Sequence, residues 1–360
     1  MNNKFLDIFK NKTVLVTGHT GFKGSWLSLC LHNAGAKVIG YSLDPYTEKD
    51  NFVVTGIGEK ITADLRKDVR DYDDLLATFG KHKPEIVFHL AAQPLVRFSY
   101  ETPRETYNTN VMGTVNILEA IRNTDSVKVA VLITSDKCYD NKEWVFGYRE
   151  NDPMGGYDPY SSSKGACELA ISSYRNSFFN PTSFDTHKKG IASVRAGNVI
   201  GGGDFSQDRI IPDCIKALED NKAIGVRSPD SIRPWQHVLE PLYGYLLLAS
   251  KMLTEGDLYS EAWNFGPYSS HIFTVKELVE KLIHHWGNGT WEDLSDKGMN
   301  NNKHEAKLLT LDINKALYKL KWKPVLNIED TIKMISDWYK NKKDYYNFTL
   351  SQIKEYESLI

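Results

Sequence analysis

Residues 13–24 read TVLVTGHTGFKG, an apolar run followed by glycine at every third position. The run predicts a buried strand, and the pattern after it predicts a helix over 25–35. Gly18, Gly21 and Gly24 permit a tight turn and let the backbone approach a pyrophosphate, which the free N–H groups of a helix start attract. A glycine-rich connection without a ligand is the alternative. The turn follows the first strand of an alternating chain, which favours a dinucleotide site.

Beyond this turn, apolar runs alternate with amphipathic stretches, the pattern of parallel β-α units. Strands are predicted over 13–18, 37–42, 60–64, 85–92, 127–135 and 190–201, and helices over 68–84, 103–123, 160–178 and 274–286. After residue 201 the alternation gives way to loop-rich stretches. The predicted fold is α/β, a doubly wound parallel sheet of the Rossmann type with a smaller mixed C-terminal domain. Residues 1–190, with strand six, form the dinucleotide-binding domain, and residues 201–360 mainly bind substrate.

The composition excludes several classes of protein. The 360 residues include 44 basic and 46 acidic side chains, and the net charge of -2 gives no general attraction to nucleic acid or membrane. No apolar run reaches the roughly 18 residues of a membrane span, and the first residues contain no secretory signal. The four cysteines are widely spaced, and His284, His285 and His304 form no metal-ligand pattern with them. We expect a cytoplasmic protein without a metal.

A tyrosine and a lysine lie one helical turn apart in the stretch DPYSSSKGA. Asp158 and Pro159 fit a helix start, and the i, i+4 spacing places Tyr160 and Lys164 on one face. The lysine is expected to lower the tyrosine pKa toward neutrality, which makes the phenol a proton acceptor. The spacing alone is common and often has no function. Ser135, at the end of strand five, offers a second hydroxyl.

The stretch TSDKCY, residues 134–139, follows the apolar run of strand five. It places an acid, Asp136, beside a base, Lys137, at the edge where parallel sheets bind ligands. One interpretation is an acid and a base for a single reaction. The alternative is a surface turn with an ion pair worth less than about 1 kcal/mol. The surrounding motifs favour the first interpretation.

The joint pattern of five motifs resembles the extended short-chain dehydrogenase/reductase family. The motifs are TGHTGFKG (17–24), HLAAQ (89–93), YNTNVMGTVNILEA (107–120), TSDKCY (134–139) and YSSSK (160–164). They run in order along most of the chain. Within that family the chain is similar to nucleotide-sugar 4,6-dehydratases. The phrases TGHTGFKGSWL, SDKCYDN and SIRPWQHVLEP look most like the branch that acts on CDP-glucose.

The resemblance implies a reaction in which hydride leaves C4 of the sugar for NAD while Tyr160 accepts the hydroxyl proton. The ketone acidifies C5, water leaves from C6, and the hydride returns to C6 to give a 4-keto-6-deoxy sugar nucleotide. Ser135 would hydrogen-bond the C4 oxygen, Asp136 would protonate the leaving hydroxyl, and Lys164 would support Tyr160 and the nicotinamide ribose. Lys137 stands where many relatives carry Glu. It either removes the C5 proton as a neutral amine, or its positive charge stabilises the C4 enolate while another group removes the proton.

NAD is the implied cofactor, held by the glycine turn and by the ends of strands two to four. Asp44 is expected to bind the adenosine ribose, and a turn residue before Pro45 is the alternative. Asp64 is expected to touch the adenine, and a cap or turn acid is the alternative. The full set of expected contacts is Thr17, Gly18, His19, Thr20, Gly21, Phe22, Lys23, Gly24, Asp44, Asp64, Leu65, Ala91, Ala92 and Gln93.

The expected partner is the nucleotide sugar. Arg209 and Arg233 are the expected ligands of its diphosphate, since guanidinium groups offer paired donors. Gln93 is expected to meet the sugar, and Asn198 the sugar or the diphosphate; an ordinary loop hydrogen bond is the alternative for each. The resemblance also implies a homodimer or tetramer that packs through two long helices of the first domain. Packing of those helices within one subunit is the alternative.

Other functions stay open at this point. A nucleotide-sugar 4-epimerase would use the same tyrosine and lysine, but it eliminates no water and has no use for Asp136 and Lys137. An NAD-binding regulator would typically lack the tyrosine–lysine pair. A dehydratase of a GDP- or dTDP-sugar differs from the CDP-glucose branch only in the nucleotide that it accepts.

Overall fold

The computed structural model describes residues 3–270, 273–295 and 308–360. The strands are β1 (Thr13–Thr17), β2 (Lys37–Ser42), β3 (Ala63–Arg66), β4 (Ile86–His89), β5 (Val129–Ile133), β6 (Gly190–Ala196), β7 (Val199–Ile200), β8 (Ile224–Val226), β9 (Ile232–Arg233), β10 (Gln236–His237), β11 (Ala262–Phe265), β12 (Phe273–Thr274) and β13 (Trp291–Asp293). Seven of them form one parallel sheet in the order β3-β2-β1-β4-β5-β6-β11. The pairs β7–β10, β9–β12 and β8–β13 form three small sheets.

Helices cover both faces of the main sheet and build the C-terminal part. The α-helices are α1 (Phe22–Asn33), α2 (Asn51–Thr55), α3 (Tyr72–His82), α4 (Val96–Glu101), α5 (Pro103–Tyr107), α6 (Gly113–Arg122), α7 (Pro159–Ser177), α8 (Phe184–His187), α9 (Ile210–Glu219), α10 (Leu239–Glu255), α11 (Val275–Trp286), α12 (Ile328–Lys340) and α13 (Tyr345–Leu359). The 3₁₀ turns are Asn3–Phe9, Ile57–Glu59, Asp136–Cys138, Pro181–Ser183 and Gly256–Tyr259, and the π turns are Asn108–Met112 and Ala316–Leu320.

Burial on both faces of the sheet explains the apolar sequences of the central strands. Every residue of β5 and β6 is buried, as expected for parallel strands covered on both faces. Along β1, Val14 and Val16 enter the hydrophobic cluster on one face, and Leu15 enters the cluster on the other. The predicted α/β doubly wound fold is therefore confirmed.

The strand order reverses at β1, which pairs with β2 on one side and with β4 on the other. In parallel sheets a crevice opens at the carboxyl ends of the strands at such a point, and ligands bind there. The turn after β1 and the loops after β4 and β5 all leave the sheet at this edge. The fold thus brings the predicted motifs to one place.

Four elements differ from the predictions. β3 begins at Ala63, later than the predicted 60–64, because its register with β2 pairs Ile39 with Ala63. The predicted helix 103–123 contains the π turn between α5 and α6. β6 ends at Ala196, and the two residues of β7 pair with β10 outside the main sheet. No strand was predicted at β11, which pairs with β6.

The chain after residue 201 contributes both to the main sheet and to the loops above it. β11 extends the sheet, and α10 packs on β5 and β6. In α12, the Trp338 ring lies against Gly202, and the Tyr339 hydroxyl donates to the carbonyl of Asp204 at 2.6 Å. α12 therefore anchors the loop that leads toward Arg209. The division of the chain at residue 201 stays a prediction.

Among the described residues, no helix has the length and apolar character of a membrane span. Nor do these residues bring together three side chains of the kinds that hold a metal ion. His284 and His285 lie side by side on α11, and His285 contacts Glu329 at 3.1 Å. His304 lies outside the described residues.

Candidate active site

The glycine turn between β1 and α1 has a shape that leaves no room for side chains at two of its glycines. A Cβ at Gly18 would lie 2.7 Å from the backbone nitrogen of Ala91, and Gly18 has a φ of +72°. A Cβ at Gly24 would lie 2.0 Å from the carbonyl oxygen of Gly18. Gly21 is exposed and caps the start of α1. The turn therefore presents the free N–H groups of the helix start at the crevice, which fits a pyrophosphate.

Two threonines of this turn make structural hydrogen bonds. The Thr17 hydroxyl accepts a hydrogen bond from the backbone N–H of Ala91 at 3.2 Å and contacts His89 Nδ1 at 2.8 Å. The Thr20 hydroxyl donates to the carbonyl of Leu43 at 3.0 Å and contacts the Ser42 hydroxyl at 2.9 Å. These contacts tie the turn to the ends of β4 and β2. Their expected role toward NAD stays a prediction.

His19 connects the turn to β3. Its Nε2 lies 2.7 Å from Asp64 Oδ1, and a Cβ at Gly40 would lie 2.3 Å from the imidazole ring. Burial lowers the pKa of His19, although Asp64 acts to raise it. Arg66 Nη2 donates to the other oxygen of Asp64 at 2.8 Å. Burial acts to raise the pKa of Asp64, but His19 and Arg66 outweigh it and lower the pKa.

The remaining acid expected to bind the cofactor, Asp44, is exposed in the segment after β2. Leu65 is half-buried in the edge strand β3, and Ala91 and Ala92 are half-buried in the loop after β4. Phe22 is the first residue of α1. These positions line the same edge of the sheet, and the expected contacts stay predictions.

The segment after β5 buries its acid. The Ser135 hydroxyl donates to Asp136 Oδ1 at 2.9 Å and accepts a hydrogen bond from the Lys137 backbone N–H at 3.2 Å. Asp136 is only 2% exposed, and its Oδ2 makes no hydrogen bond within the described part of the chain. Burial raises the pKa of Asp136, while the charges of Lys137 and Arg233 act to lower it. The buried carboxyl is suited to carrying a proton, as the sequence predicts.

The tyrosine and the lysine of α7 are both buried beside this segment. Asp158 caps the helix by accepting a hydrogen bond from the Ser161 N–H at 2.9 Å. Burial raises the pKa of Tyr160 to about 12, against a hydrogen bond with Ser135, while the charge of Asp136 raises it further. In the structure this direction is opposite to the lowering expected from Lys164, because loss of hydration is the largest influence on the phenol. Lys164 Nζ donates to the carbonyl of Ile133 at 3.4 Å, and burial lowers its pKa.

Two further basic side chains, Lys23 and Arg209, lie close enough to Tyr160 and Asp136 to affect the pKa values of the site. Burial, Lys164 and Arg209 together lower the pKa of Lys23 to about 7, and Asp136 acts in the opposite direction. Arg209 Nη1 donates to Asp204 Oδ2 at 2.9 Å, and the charge of Arg209 acts on Tyr160. The glycine turn, α7 and the loop before α9 therefore converge. This convergence of Lys23 with the Tyr160 side of the site is not visible in the sequence.

The other residues expected to contact the substrate take part in hydrogen bonds within the protein. Gln93 ties the loop after β4 to the helix above it, since its Nε2 donates to Thr106 at 2.9 Å and its Oε1 accepts from the Leu95 N–H at 2.5 Å. The carbonyl of Asn198 accepts a hydrogen bond from the Gln236 N–H at 3.3 Å. The charge of Arg233 acts on Asp136, and its Nη1 donates to the carbonyl of Ile232. The roles of all three toward a substrate stay predictions.

A buried ion pair lies beneath the catalytic segment and was not predicted. Glu168 of α7 and Arg195 of β6 meet at 2.8 Å, and both side chains are less than 5% exposed. The sequence offers one signal, since Glu168 follows Lys164 by one helical turn on the same face. Nothing in the sequence identifies Arg195 as its partner.

Together, the fold and the site define a class: a nucleotide-dependent enzyme that places a tyrosine–lysine pair and a buried acid at the switch point of a parallel sheet. A family model described as GDP-mannose 4,6 dehydratase matches residues 15–335, and the chain belongs to that family. The resemblance to nucleotide-sugar 4,6-dehydratases is therefore confirmed.

Individual relatives agree with this assignment. The chain is 52% identical to a CDP-glucose 4,6-dehydratase of Salmonella typhimurium, over 93% of this chain and 92% of the relative. Among solved structures, the dTDP-glucose 4,6-dehydratase of Bacillus anthracis in complex with NAD has a TM-score of 0.74 at 20% identity, covering 94% of this chain and 99% of that one. The UDP-glucose 4-epimerase of Thermotoga maritima with UDP-glucose has a TM-score of 0.73 at 23% identity, covering 94% and 99%. These two structures support the fold alone.

Proposed function

We propose that this protein converts CDP-glucose to CDP-4-keto-6-deoxyglucose with bound NAD. The observation that carries this function is the 52% identity, over 93% of the chain, to a CDP-glucose 4,6-dehydratase. The buried Asp136 beside Tyr160 supports it, because an elimination needs a proton donor that a simple oxidation does not.

The glycine turn fits NAD, since Gly18 and Gly24 leave no room for side chains and Gly21 exposes the helix start. When bound there, NAD would supply the acceptor and donor of the hydride that moves from C4 to C6, and its positive charge would favour the phenolate of Tyr160. The chain's own residues move the protons. The Ser135 hydroxyl and Tyr160 bind the C4 oxygen, and Tyr160 takes the hydroxyl proton. Arg209 and Ser135 oppose the burial that raises the pKa of Tyr160.

The elimination step depends on Asp136. The C5 proton and the C6 hydroxyl leave, and Asp136 supplies the proton that turns the hydroxyl into water. Its raised pKa keeps that proton in place before the reaction. Lys137 either removes the C5 proton as a neutral amine and returns it to C5 when the hydride reaches C6, or it stabilises the enolate by its charge while another group takes and returns that proton. Overall, one water is lost and the sugar is internally oxidised at C4 and reduced at C6, so no net oxidant is needed.

Arg209 and Arg233 are the proposed ligands of the substrate diphosphate, with Gln93 and Asn198 near the sugar. We also propose a homodimer or tetramer. Hydrophobic side chains are exposed on the long helices expected to form that contact: Tyr107, Met112 and Leu169. A cytoplasmic location agrees with the four cysteines, which are all buried and unbridged.

The test is incubation of the protein and NAD with CDP-glucose, dTDP-glucose, GDP-mannose and UDP-glucose in separate reactions. We expect CDP-glucose to yield a product lighter by one water, with no net reduction of NAD. A product of unchanged mass from UDP-glucose would identify an epimerase instead. Water loss from dTDP-glucose or GDP-mannose in preference to CDP-glucose would refute the assigned nucleotide while retaining the reaction.

A further inference from the structure

The ion pair beneath the catalytic segment is buried on all sides. Arg195 Nη2 donates to Glu168 Oε2 at 2.8 Å, and neither side chain reaches solvent. Burial acts to raise the pKa of Glu168, but Arg195 and the hydroxyls of Thr134 and Ser193 outweigh it and lower the pKa, which favours the charged form. Removing two charges from water is costly, so such a pair is weak evidence for stability. A role in holding a specific arrangement accounts for it better.

The pair holds the residue that precedes the segment. The Thr134 hydroxyl donates to Glu168 Oε1, and the Thr134 backbone N–H donates to the carbonyl of Val194 at 2.9 Å. Thr134 is joined directly to Ser135. The carboxylate of Glu168 therefore fixes the point where the segment leaves the sheet.

The pair also holds the residue that follows the 3₁₀ turn. Arg195 Nη1 donates to the Tyr139 hydroxyl at 2.6 Å, and its guanidinium carbon lies 4.9 Å from the centre of the Tyr139 ring. The Tyr139 hydroxyl donates onward to Asn264 Oδ1 at 2.8 Å. Both ends of the segment 135–138 are thus attached to one ion pair.

The backbone just after the strand that carries Arg195 forms the third contact. Gly197 follows Arg195 by two residues, and a Cβ there would lie 2.4 Å from Asp136 Oδ2. The residue directly after β6 therefore provides the wall behind the carboxyl of Asp136.

We propose that Glu168 and Arg195, with Thr134 and Tyr139, position Asp136 for the elimination step. This proposal rests on the dehydration proposed above. The four residues act through the segment and are positioning residues. When they are loosened, Asp136 moves relative to the C6 hydroxyl, while Tyr160 is held by its own helix. Ser135 moves with the segment, so C4 oxidation slows as well, but less than elimination, because Tyr160 remains in place to take the proton.

The test compares two variants that each remove one hydroxyl donor from the Glu168 carboxylate. Thr134→Val removes the donor attached to the catalytic segment. Ser193→Ala removes the donor to Oε2 from within β6, at 2.8 Å. We expect Thr134→Val to lower kcat for dehydration about tenfold, because small displacements of reacting groups are costly. We expect Ser193→Ala to retain the kcat of the wild type.

The distinguishing signature is spectroscopic. When elimination is slowed more than C4 oxidation, the absorbance of reduced nicotinamide rises during turnover of Thr134→Val. Loss of folded protein lowers every step together and produces no such rise. Tyr139→Phe, which keeps the ring and removes the hydroxyl bound to Arg195, is expected to show the same rise, and it replaces Thr134→Val if that variant does not fold.

Equal kcat values for Thr134→Val and Ser193→Ala would overturn the positioning role, as would a slower Thr134→Val or Tyr139→Phe without the rise in reduced nicotinamide. Wild-type protein is assayed alongside with the panel of nucleotide sugars. Failure of the wild type to release water would refute the proposed function, whichever way the variants compare.

Discussion

The two sides of the active-site crevice are built by opposite means. The glycine turn depends on the absence of side chains, since Gly18 and Gly24 sit where a Cβ would overlap the backbone. The segment 134–139 depends on side chains, since the Thr134 hydroxyl donates to Glu168 and the Tyr139 hydroxyl accepts from Arg195, which attaches the segment to a buried ion pair. The first side is mainly a local property of the turn, although Gly18 also lies against Ala91 in the loop after β4. The second arises from contacts between residues far apart in the chain.

The difference predicts which changes impair chemistry and which impair folding or cofactor binding. The largest effect on chemistry is expected for Asp136→Asn, which retains the shape of the side chain and removes its acid. Loss of a positioned general acid slows a reaction about 10²–10⁴-fold. Water release should slow by this factor in a single-turnover assay, while NAD affinity, measured by fluorescence titration, stays as in the wild type. Wild-type water release by this variant would remove Asp136 from the mechanism.

Gly197→Ala tests whether the wall behind Asp136 matters. The new Cβ would lie 2.4 Å from Asp136 Oδ2 and 2.9 Å from the Pro234 ring, so the carboxyl must move. A misplacement of about 1 Å costs roughly 10²-fold in rate. We expect kcat for dehydration to fall by this amount with KM for CDP-glucose little changed. A large rise in KM at constant kcat would instead assign Gly197 to substrate binding.

Gly24→Ala tests the other side of the crevice. Its Cβ would lie 2.0 Å from the carbonyl oxygen of Gly18, and relief requires movement of the backbone. Overpacking of this kind lowers the free energy of unfolding by about 3 kcal/mol, which chemical denaturation measures. The matched control for stability is Gly21→Ala, whose Cβ would lie 3.4 Å from the same oxygen, an ordinary contact. Equal destabilisation of the two variants would contradict the steric explanation.

The pH dependence separates the two proton transfers. Burial raises the pKa of Asp136, and only its protonated form can donate, so the elimination rate should be full below that pKa and fall as pH rises through it. Tyr160 must lose its proton, so the rate of C4 oxidation should rise with pH up to the pKa of Tyr160, which burial raises and bound NAD would lower. The elimination rate should fall about tenfold per pH unit above the pKa of Asp136. The oxidation rate should rise about tenfold per pH unit below the pKa of Tyr160. Stopped-flow absorbance of reduced nicotinamide follows both steps. If both rates rose with pH, or both fell, the assignments of Asp136 and Tyr160 would be contradicted.

The sequence predicts the first side of the crevice better than the second. The spacing of Gly18, Gly21 and Gly24 after an apolar run identifies the turn, because backbone sterics leave a mark on consecutive residues. The i, i+4 spacing likewise identifies Tyr160 and Lys164. By contrast, β11 is a four-residue strand whose place beside β6 depends on tertiary packing, and the sequence pattern does not predict it.

The electrostatic properties of the site cannot be predicted from the sequence either, because they too depend on tertiary packing. Lys164 is adjacent to Tyr160 on the helix, yet burial decides the pKa of the phenol. The pairing of Glu168 with Arg195 joins a helix to a strand 27 residues later along the chain. Gln93 has the position expected of a sugar contact, but its amide bonds to Thr106 and Leu95 in the structure. Such contacts depend on burial and orientation, which one-dimensional spacing does not contain.

The most direct measurement follows a labelled hydrogen through the reaction. CDP-glucose carrying deuterium at C4 is incubated with the protein and NAD, and the product is analysed by mass spectrometry and NMR. If Tyr160 and Asp136 act in succession on one sugar, the product has lost one water and carries the deuterium on the C6 methyl group. Deuterium that stays at C4 in a product of unchanged mass would contradict dehydration by this site.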